Sequence, residues 1–251
     1  MSDIFDIAGR SILIAGAAGG IGSGIAGELA RRGAVLTLAD IDETAAETVR
    51  DGLAGSGHAV CPLDVTDEAS CAAAVAAAVT NGGRLDAMLN AAGILRVAPA
   101  LDLPEEDFAA SLNVNVTGSL LVARQAGRVM IGQGGGQIVT IASVSSQVAN
   151  PNYAAYASSK AALSQLTRVL AVEWAEHQVA VNAIGPAVIP TPLSDPFMAT
   201  PEFRAYQMAR IPMGRMASVE DLFGAALLLV SPAGAFITGQ TIYVDGGRTL
   251  V

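Results

Sequence analysis

The stretch that decides the fold of this chain is Ser11-Ile12-Leu13-Ile14-Ala15-Gly16-Ala17-Ala18-Gly19-Gly20-Ile21-Gly22. An apolar run comes first, a glycine-rich turn follows it, and a helical pattern over 20–32 begins before the glycines end. Glycines allow a tight turn and a close approach to a pyrophosphate, and the free N–H groups at the start of a helix attract its negative charge. The stretch alone therefore predicts either a nucleotide-binding loop or an ordinary strand-to-helix turn.

Short apolar runs alternate with longer helical patterns through the rest of the chain. We predict strands at 11–15, 35–39, 59–62, 85–90, 137–142, 179–184 and 240–244. We predict helices at 20–32, 41–53, 67–79 and 153–175, with two more between 104 and 131 and another from Ser218. This alternation is typical of an α/β fold with a doubly wound parallel sheet of about seven strands and helices on both faces. We expect residues 1–251 to form a single domain.

The alternation stops in the segment 186–217, where prolines are frequent and apolar residues lie between them. A long irregular segment in a compact domain is usually a lid or a binding loop. We therefore expect a substrate loop here. Its apolar residues either contact a partly hydrophobic substrate or pack the loop onto the domain, and the sequence leaves both open: Leu193, Phe197, Met198, Phe203, Tyr206 and Met208.

Charge and composition argue against several kinds of partner. The net charge of −9 disfavours nucleic acid, which would require a basic face. No apolar run is long enough for a transmembrane helix, and Asp3 and Asp6 precede any apolar run, unlike a signal peptide, so we expect a cytoplasmic protein. The cysteines and histidines have no metal-ligand spacing, so we expect no metal.

Asp40 ends the second predicted strand, roughly twenty residues beyond the glycine-rich turn. A carboxylate there can accept hydrogen bonds from the hydroxyl groups of an adenosine ribose, and its charge would repel a 2′-phosphate. No Lys or Arg lies in the turn or directly after Asp40 to neutralise such a phosphate. The sequence therefore predicts NAD rather than NADP as the cofactor. Asp42 is the competing acid, but it is better placed to cap the next helix.

The chain contains 14 Lys and Arg residues, of which Lys160 is the one lysine, and it follows Tyr156 by four positions. The two side chains share a helix face, and a nearby ammonium lowers the pKa of a phenol toward the range useful in acid–base catalysis. Alone, the pair also fits a solvated helix face. Ser143 lies just beyond the fifth strand, and Asn115 is a poor choice for a helix interior. The combination favours a catalytic site.

Together these motifs resemble those of the short-chain dehydrogenase/reductase family, in its ordinary single-domain form, over nearly the whole chain. The resemblance implies an NAD(P)-binding Rossmann fold with Asn115, Ser143, Tyr156 and Lys160 as catalytic residues. It also implies that the cofactor is bound by residues from several segments: Gly16, Gly19, Gly20, Ile21, Gly22, Asp40, Ile41, Asp64, Val65, Asn90, Ala91, Gly93, Tyr156, Lys160, Pro186, Val188, Ile189 and Thr191.

The resemblance implies hydride transfer between nicotinamide C4 and the carbon of a secondary alcohol or ketone. Ser143 and Tyr156 would hold the substrate oxygen, with Tyr156 as the acid or base. Lys160 would bind the nicotinamide ribose and lower the pKa of Tyr156, and Asn115 would position a water that links Lys160 to solvent.

Other properties implied by the resemblance are less specific. Substrate contacts are expected from 94–96, from 144–153 and from the substrate loop, and Arg96 is either a carboxylate ligand or a solvated surface residue. The family implies a homo-oligomer, a tetramer or a dimer, formed through the helices around 104–131 and 153–175. Two other functions stay open, a 3-oxoacyl thioester reductase and a non-catalytic NAD-binding protein on the same fold.

Overall fold

The computed structural model describes residues 3–195 and 199–251. Its strands form one parallel sheet in the order β3-β2-β1-β4-β5-β6-β7. The order changes direction between β1 and β4, which is where doubly wound folds bind ligands. The strands are β1 (Ser11–Ala15), β2 (Val35–Asp40), β3 (Ala59–Pro62), β4 (Ala87–Asn90), β5 (Gly136–Ile141), β6 (Val179–Pro186) and β7 (Thr241–Val244).

Helices connect the strands, and the predicted doubly wound α/β fold is confirmed. The α-helices described from end to end are α1 (Gly20–Arg31), α2 (Glu43–Asp51), α3 (Glu68–Gly82), α4 (Glu105–Leu112), α5 (Ser119–Gly132), α6 (Ala154–Trp174), α7 (Pro201–Met208) and α8 (Phe223–Val230). A π-helical segment, Asn113–Gly118, joins α4 to α5. In the part of the chain that is described, no helix is both long and apolar enough to cross a membrane.

Strand β1 is apolar on both faces because it separates two hydrophobic cores. Ile12 and Ile14 lie in the core that includes Leu29 of α1. Leu13 lies in the other core, which includes Val75 of α3 and further residues of α5. A strand buried on both faces needs a continuous apolar run rather than an alternating one, which explains the sequence of β1. Both cores fix the carboxyl end of β1, from which the glycine-rich turn begins.

The segment 186–217 is less irregular than predicted, because it contains helix α7. Thr200 precedes the helix, Pro201 occupies its first turn and Glu202 follows. Proline is well tolerated at the start of a helix, where its missing N–H has no partner to lose. We expected this proline to interrupt regular structure, whereas it begins a helix. Phe197 and Met198, which we predicted to be substrate contacts, lie outside the described residues.

Candidate active site

The glycine-rich turn after β1 is shaped by close backbone contacts. Gly16 has a φ of +73°, and a Cβ at this position would overlap the backbone of Ala92 beyond β4. A Cβ at Gly22 would overlap the carbonyl oxygen of Gly16, and one at Gly20 would lie 2.9 Å from Thr191 Cγ2. Gly19 N donates to Gly16 O at 3.2 Å, which closes the turn. The turn therefore requires glycine at several positions and contacts the segment that follows β6.

Asp40 lies at the carboxyl end of β2 and holds the glycine-rich turn. Its Oδ2 accepts a hydrogen bond from Ala18 N at 2.8 Å, and its Oδ1 accepts one from Asp42 N at 3.1 Å. Each carboxylate oxygen can accept a second hydrogen bond, so both remain available to a ligand. Asp42 caps α2 by accepting from Ala45 N at 2.9 Å, as predicted.

A first cleft opens beside Asp40, and we call it the Asp40 cleft. Its lining includes many of the residues predicted to bind a cofactor: Gly16, Gly19, Asp40, Ile41, Asp64, Val65, Ala91 and Gly93. Two carboxylates therefore face this cleft. Within residues 3–195 and 199–251, neither Lys nor Arg lines it.

A second cleft, the Tyr156 cleft, lies over the carboxyl ends of β5 and β6. Its lining includes ten of the predicted site residues, two of which, Ala91 and Gly93, also line the Asp40 cleft: Ile21, Ala91, Gly93, Ser143, Tyr156, Lys160, Pro186, Val188, Ile189 and Thr191. Ala91 and Gly93 line both clefts, so the two meet at the end of β4. Together they form one groove across the switch point of the sheet.

Gly20, Gly22, Asn90 and Asn115 line neither cleft. The two glycines shape the turn, as described above. Asn90 is buried, donates from Nδ2 to Ser119 Oγ at 2.9 Å and accepts from Ala92 N at 3.1 Å. It therefore braces the end of β4 beneath the groove.

Asn115 is fully buried in the π-helical segment. Its Oδ1 accepts from Ile94 N at 2.9 Å, and its Nδ2 donates to Ile94 O at 3.0 Å and to Ser159 Oγ at 2.9 Å. Isolated π turns occur frequently at functional sites. Here the asparagine does not compete with its own helix, because its side chain connects the end of β4 to α6.

Lys160 is only 4% exposed, and its ammonium lies inside the protein. Nζ donates to Ile141 O at 2.7 Å and lies 5.6 Å from the centroid of the Tyr156 ring. Burial lowers the pKa of Lys160 to about 8, because desolvation disfavours the charged form. The carbonyl at the end of β5 therefore accepts a hydrogen bond from an ammonium that is costly to bury, next to the catalytic tyrosine predicted from the sequence.

The pKa of Tyr156 differs from the prediction made from the sequence. Burial raises this pKa to about 12, although a hydrogen bond with Ser143 acts in the opposite direction. We expected Lys160 to lower it. Among the protein's own groups, the loss of water around the phenol is the largest cause and raises the pKa, so the net lowering that we expected is not found.

The outer part of the Tyr156 cleft is amphipathic. The predicted residues Leu95, Val144, Leu193 and Phe203 give it apolar walls, and Ser145 and Asn150 add polar groups. Gln207 and Ser194 also line the cleft; both lie in the predicted substrate loop, but the sequence pattern singles out neither. Gln207 could have been found only with helix α7, which carries it.

Other predicted substrate contacts lie elsewhere. Arg96 pairs with Asp107 at 3.1 Å, and the Arg210 guanidinium lies 3.5 Å from the centroid of the Tyr206 ring. Ile94 lines the Asp40 cleft instead, and Met208 is exposed. Among the described residues, no group of three or more His, Cys, Asp or Glu side chains is arranged to hold a metal ion.

Comparison with known proteins shows similarity over nearly the whole chain. A family model described as enoyl-(acyl carrier protein) reductase matches residues 16–249. Gluconate 5-dehydrogenase of Gluconobacter oxydans is 35% identical over 250 residues, covering 99% of this chain and 98% of that protein. An NAD-dependent glycerol dehydrogenase of Listeria innocua is 36% identical over 246 residues, covering 98% and 96%.

A solved structure gives the same result for the fold. Gluconate 5-dehydrogenase from Burkholderia cenocepacia, in complex with NADP and tartrate, superposes with a TM-score of 0.93 at 35% identity, covering 99% of this chain and 98% of the other. The similarity therefore extends over the whole fold.

The lowered pKa of Lys160 predicts a pH-dependent contribution to stability. Between pH values of about 8 and 10.5, the unfolded chain keeps a proton on Lys160 that the folded protein has released. The free energy of unfolding therefore rises with pH in this range. We expect wild type to gain up to about 3 kcal/mol of unfolding free energy relative to Lys160→Met as the pH rises through it. Urea unfolding of both proteins without cofactor measures the difference. If the difference in unfolding free energy between the two proteins does not change with pH, the lowered pKa of Lys160 is contradicted.

Proposed function

The chain belongs to the short-chain dehydrogenase/reductase family, and on that premise we propose that it is an NAD-dependent dehydrogenase of a secondary alcohol in a polyhydroxy compound, able to reduce the matching ketone. The observation that supports this most is the convergence of Ser143, Tyr156 and Lys160 on one cleft that meets the Asp40 cleft at Ala91 and Gly93. The names of the relatives, a gluconate and a glycerol dehydrogenase, support the polyhydroxy substrate.

The groove has the shape and chemistry needed to bind a dinucleotide. The turn at Gly16 and Gly19 leads into the N-terminus of α1, where free N–H groups favour a pyrophosphate. In our proposal the adenosine ribose lies against Asp40, and the nicotinamide lies against Pro186, Val188, Ile189 and Thr191 in the Tyr156 cleft. Residues 1–251 would act as one dinucleotide-binding domain.

The charges around the Asp40 cleft support NAD over NADP. A 2′-phosphate carries strong negative charge and needs a cation or several donors nearby. The described lining provides the carboxylates of Asp40 and Asp64 and neither Lys nor Arg. The related Listeria innocua enzyme is named as NAD-dependent, whereas the Burkholderia cenocepacia structure contains NADP. The cofactor of this chain therefore needs its own measurement.

We propose Tyr156 as the group that moves the proton. Its raised pKa keeps the phenol protonated, which is the form that donates to the oxygen of a ketone during reduction. In the oxidation direction, the ammonium of Lys160 favours the phenolate that accepts the proton from the alcohol. When bound, the oxidised cofactor supplies the hydride acceptor and a second positive charge near the phenol.

Ser143 and Asn115 have supporting roles in this proposal. Ser143 acts to lower the pKa of Tyr156 and lines the same cleft, so its hydroxyl can hold the substrate oxygen beside the phenol. The side chain of Asn115 bonds Ile94 and Ser159, which holds the segment after β4 against α6. A water held by Asn115 that relays protons toward Lys160 stays a prediction.

Assembly and location are also proposals. Val169 and Val172 are exposed on α6, 44% and 81% respectively, which supports a homotetramer or dimer formed through this helix. A cytoplasmic location stays an expectation from the sequence.

Reduction of an acyl thioester is the second candidate function. The description of the matching family model, an acyl-carrier-protein reductase, favours it. That chemistry usually uses NADPH in this family, and the two carboxylates of the Asp40 cleft argue against it. An NAD(H)-linked screen of alditols, sugar acids, simple ketones and acyl thioesters separates the two.

Replacing Tyr156 by Phe should abolish most turnover, because phenylalanine keeps the ring but has no hydroxyl proton to transfer. We expect kcat to fall roughly 10² to 10⁴-fold with little change in NAD affinity, measured by NADH absorbance and by binding titration. Tyr206→Phe is the matched control, since Tyr206 lies outside the cleft against Arg210. Near-normal turnover of Tyr156→Phe would exclude the mechanism. Saturable NAD binding by wild type with no turnover in the screen would favour the non-catalytic alternative.

Wild type should have a higher kcat/KM with NAD than with NADP, and Asp40→Asn should weaken this preference about tenfold. Asparagine keeps an oxygen that can accept from Ala18 N and removes the negative charge. Asp42→Asn is the matched control, because it removes a charge two residues away and keeps a good helix cap. A wild-type preference for NADP, or equal effects of both variants, would refute the role of Asp40.

A further inference from the structure

Helix α7 carries a buried polar side chain that the reaction described above does not use. Gln207 is 7% exposed and lines the Tyr156 cleft near Leu193 and Phe203. On the basis of the proposed function, we infer that Gln207 is a specificity-determining residue that hydrogen-bonds a second hydroxyl of the substrate, and that the cleft selects a neutral polyol over a polyhydroxy acid.

The amide of Gln207 differs from those of the other buried glutamines. Gln125 donates to Glu68 Oε1 at 3.0 Å. Gln137 donates to Ser231 O and accepts from Arg10 at 2.7 Å. Within residues 3–195 and 199–251, the side chain of Gln207 makes no hydrogen bond. The amide atoms of Gln207 are not among the described buried side-chain atoms that lack a partner, so they are accessible from the cleft that the residue lines. An amide that makes no internal hydrogen bond there is available to bond a ligand.

The polar groups near Gln207 fit a compound with several hydroxyls. An amide both donates and accepts, which matches the two abilities of a hydroxyl group. Ser145 is also buried in the cleft, and its Oγ has no hydrogen-bond partner among the described residues. Asn150 Oδ1 accepts from Arg248 at 3.1 Å, which leaves the Asn150 amide N–H groups for the cleft. Leu95, Leu193 and Phe203 provide apolar contacts for a carbon chain.

The charges of the cleft disfavour a carboxylate on the substrate. In the described part of its lining, Lys160 is the one cation, and its Nζ is bonded to Ile141 O at 2.7 Å. Arg96 pairs with Asp107, and Arg248 is bonded to Asn150 and Val251. A desolvated carboxylate without a cationic partner is strongly disfavoured.

The first test measures the selectivity of wild type with NAD. Initial rates are compared for alditols, for the aldonates derived from them and for 2-alkanols of matched chain length. We expect the best alditol to exceed both its aldonate and its 2-alkanol at least about tenfold in kcat/KM, because a site built to bond a hydroxyl rejects analogues that lack it. An aldonate preferred over its alditol, or equal use of alditol and 2-alkanol, would overturn the inference.

The second test replaces Gln207 by Met, which keeps the length of the side chain and removes its hydrogen bonds. We expect KM for the alditol to rise about tenfold with a smaller change in kcat, so that the preference for alditol over 2-alkanol collapses. A purely structural role would shift both substrates equally. Gln240→Met, at an exposed position before β7, is the control and should keep the wild-type preference.

The outcomes separate this inference from the proposed function. If wild type oxidises alditols and 2-alkanols equally well, the role of Gln207 is wrong and the dehydrogenase activity stands. If wild type oxidises no alcohol in the panel, the proposed function itself fails. Thermal unfolding and NAD titration of Gln207→Met check that the variant is folded. If it is not, the selectivity of wild type alone decides the question.

Discussion

The site depends on one buried charge, the ammonium of Lys160 bonded to the carbonyl of Ile141 at the end of β5. Moving an ammonium out of water is costly, and the lowered pKa of Lys160 records that cost. Three parts of the structure surround it. Gly93 has no side chain, and a Cβ there would lie 3.0 Å from Asn115 Oδ1, which is closer than an ordinary contact. Helix α6 positions Lys160 beside Tyr156, and Asn115 fixes α6 to the end of β4.

The order of the strands explains why the site lies at the switch point of the sheet. Strands β4, β5 and β6 end beside one another, so Gly93, Ser143 and the segment from Pro186 face one cleft. On the other side of the switch point, β1 and β2 provide the glycine-rich turn and Asp40, which are connected through the Ala18 N–H. Asp40 therefore fixes the shape of the turn and also sets the charge of the Asp40 cleft.

Most of the fold could be predicted because the strands are short apolar runs between helical patterns. The glycine-rich turn, Ser143, Tyr156 and Lys160 could be predicted because each lies at a fixed distance from a strand or helix. Helix α7 was missed because prolines dominate its surroundings, although Pro201 begins it. Gln207 was missed with it. The pKa of Tyr156 could not be read from local spacing, because it depends on burial produced by distant segments.

In our proposal, position 160 requires an ammonium and not merely a positive charge. Arginine occupies every other Lys or Arg position of the chain, and we expect its wider guanidinium not to fit where Nζ lies, close to Ile141 O and the Tyr156 ring. The most direct measurement is therefore kcat of Lys160→Arg with NAD and the best alcohol substrate. We expect a loss of roughly 10²-fold or more in a folded protein. A Lys160→Arg enzyme with the kcat of wild type would contradict it.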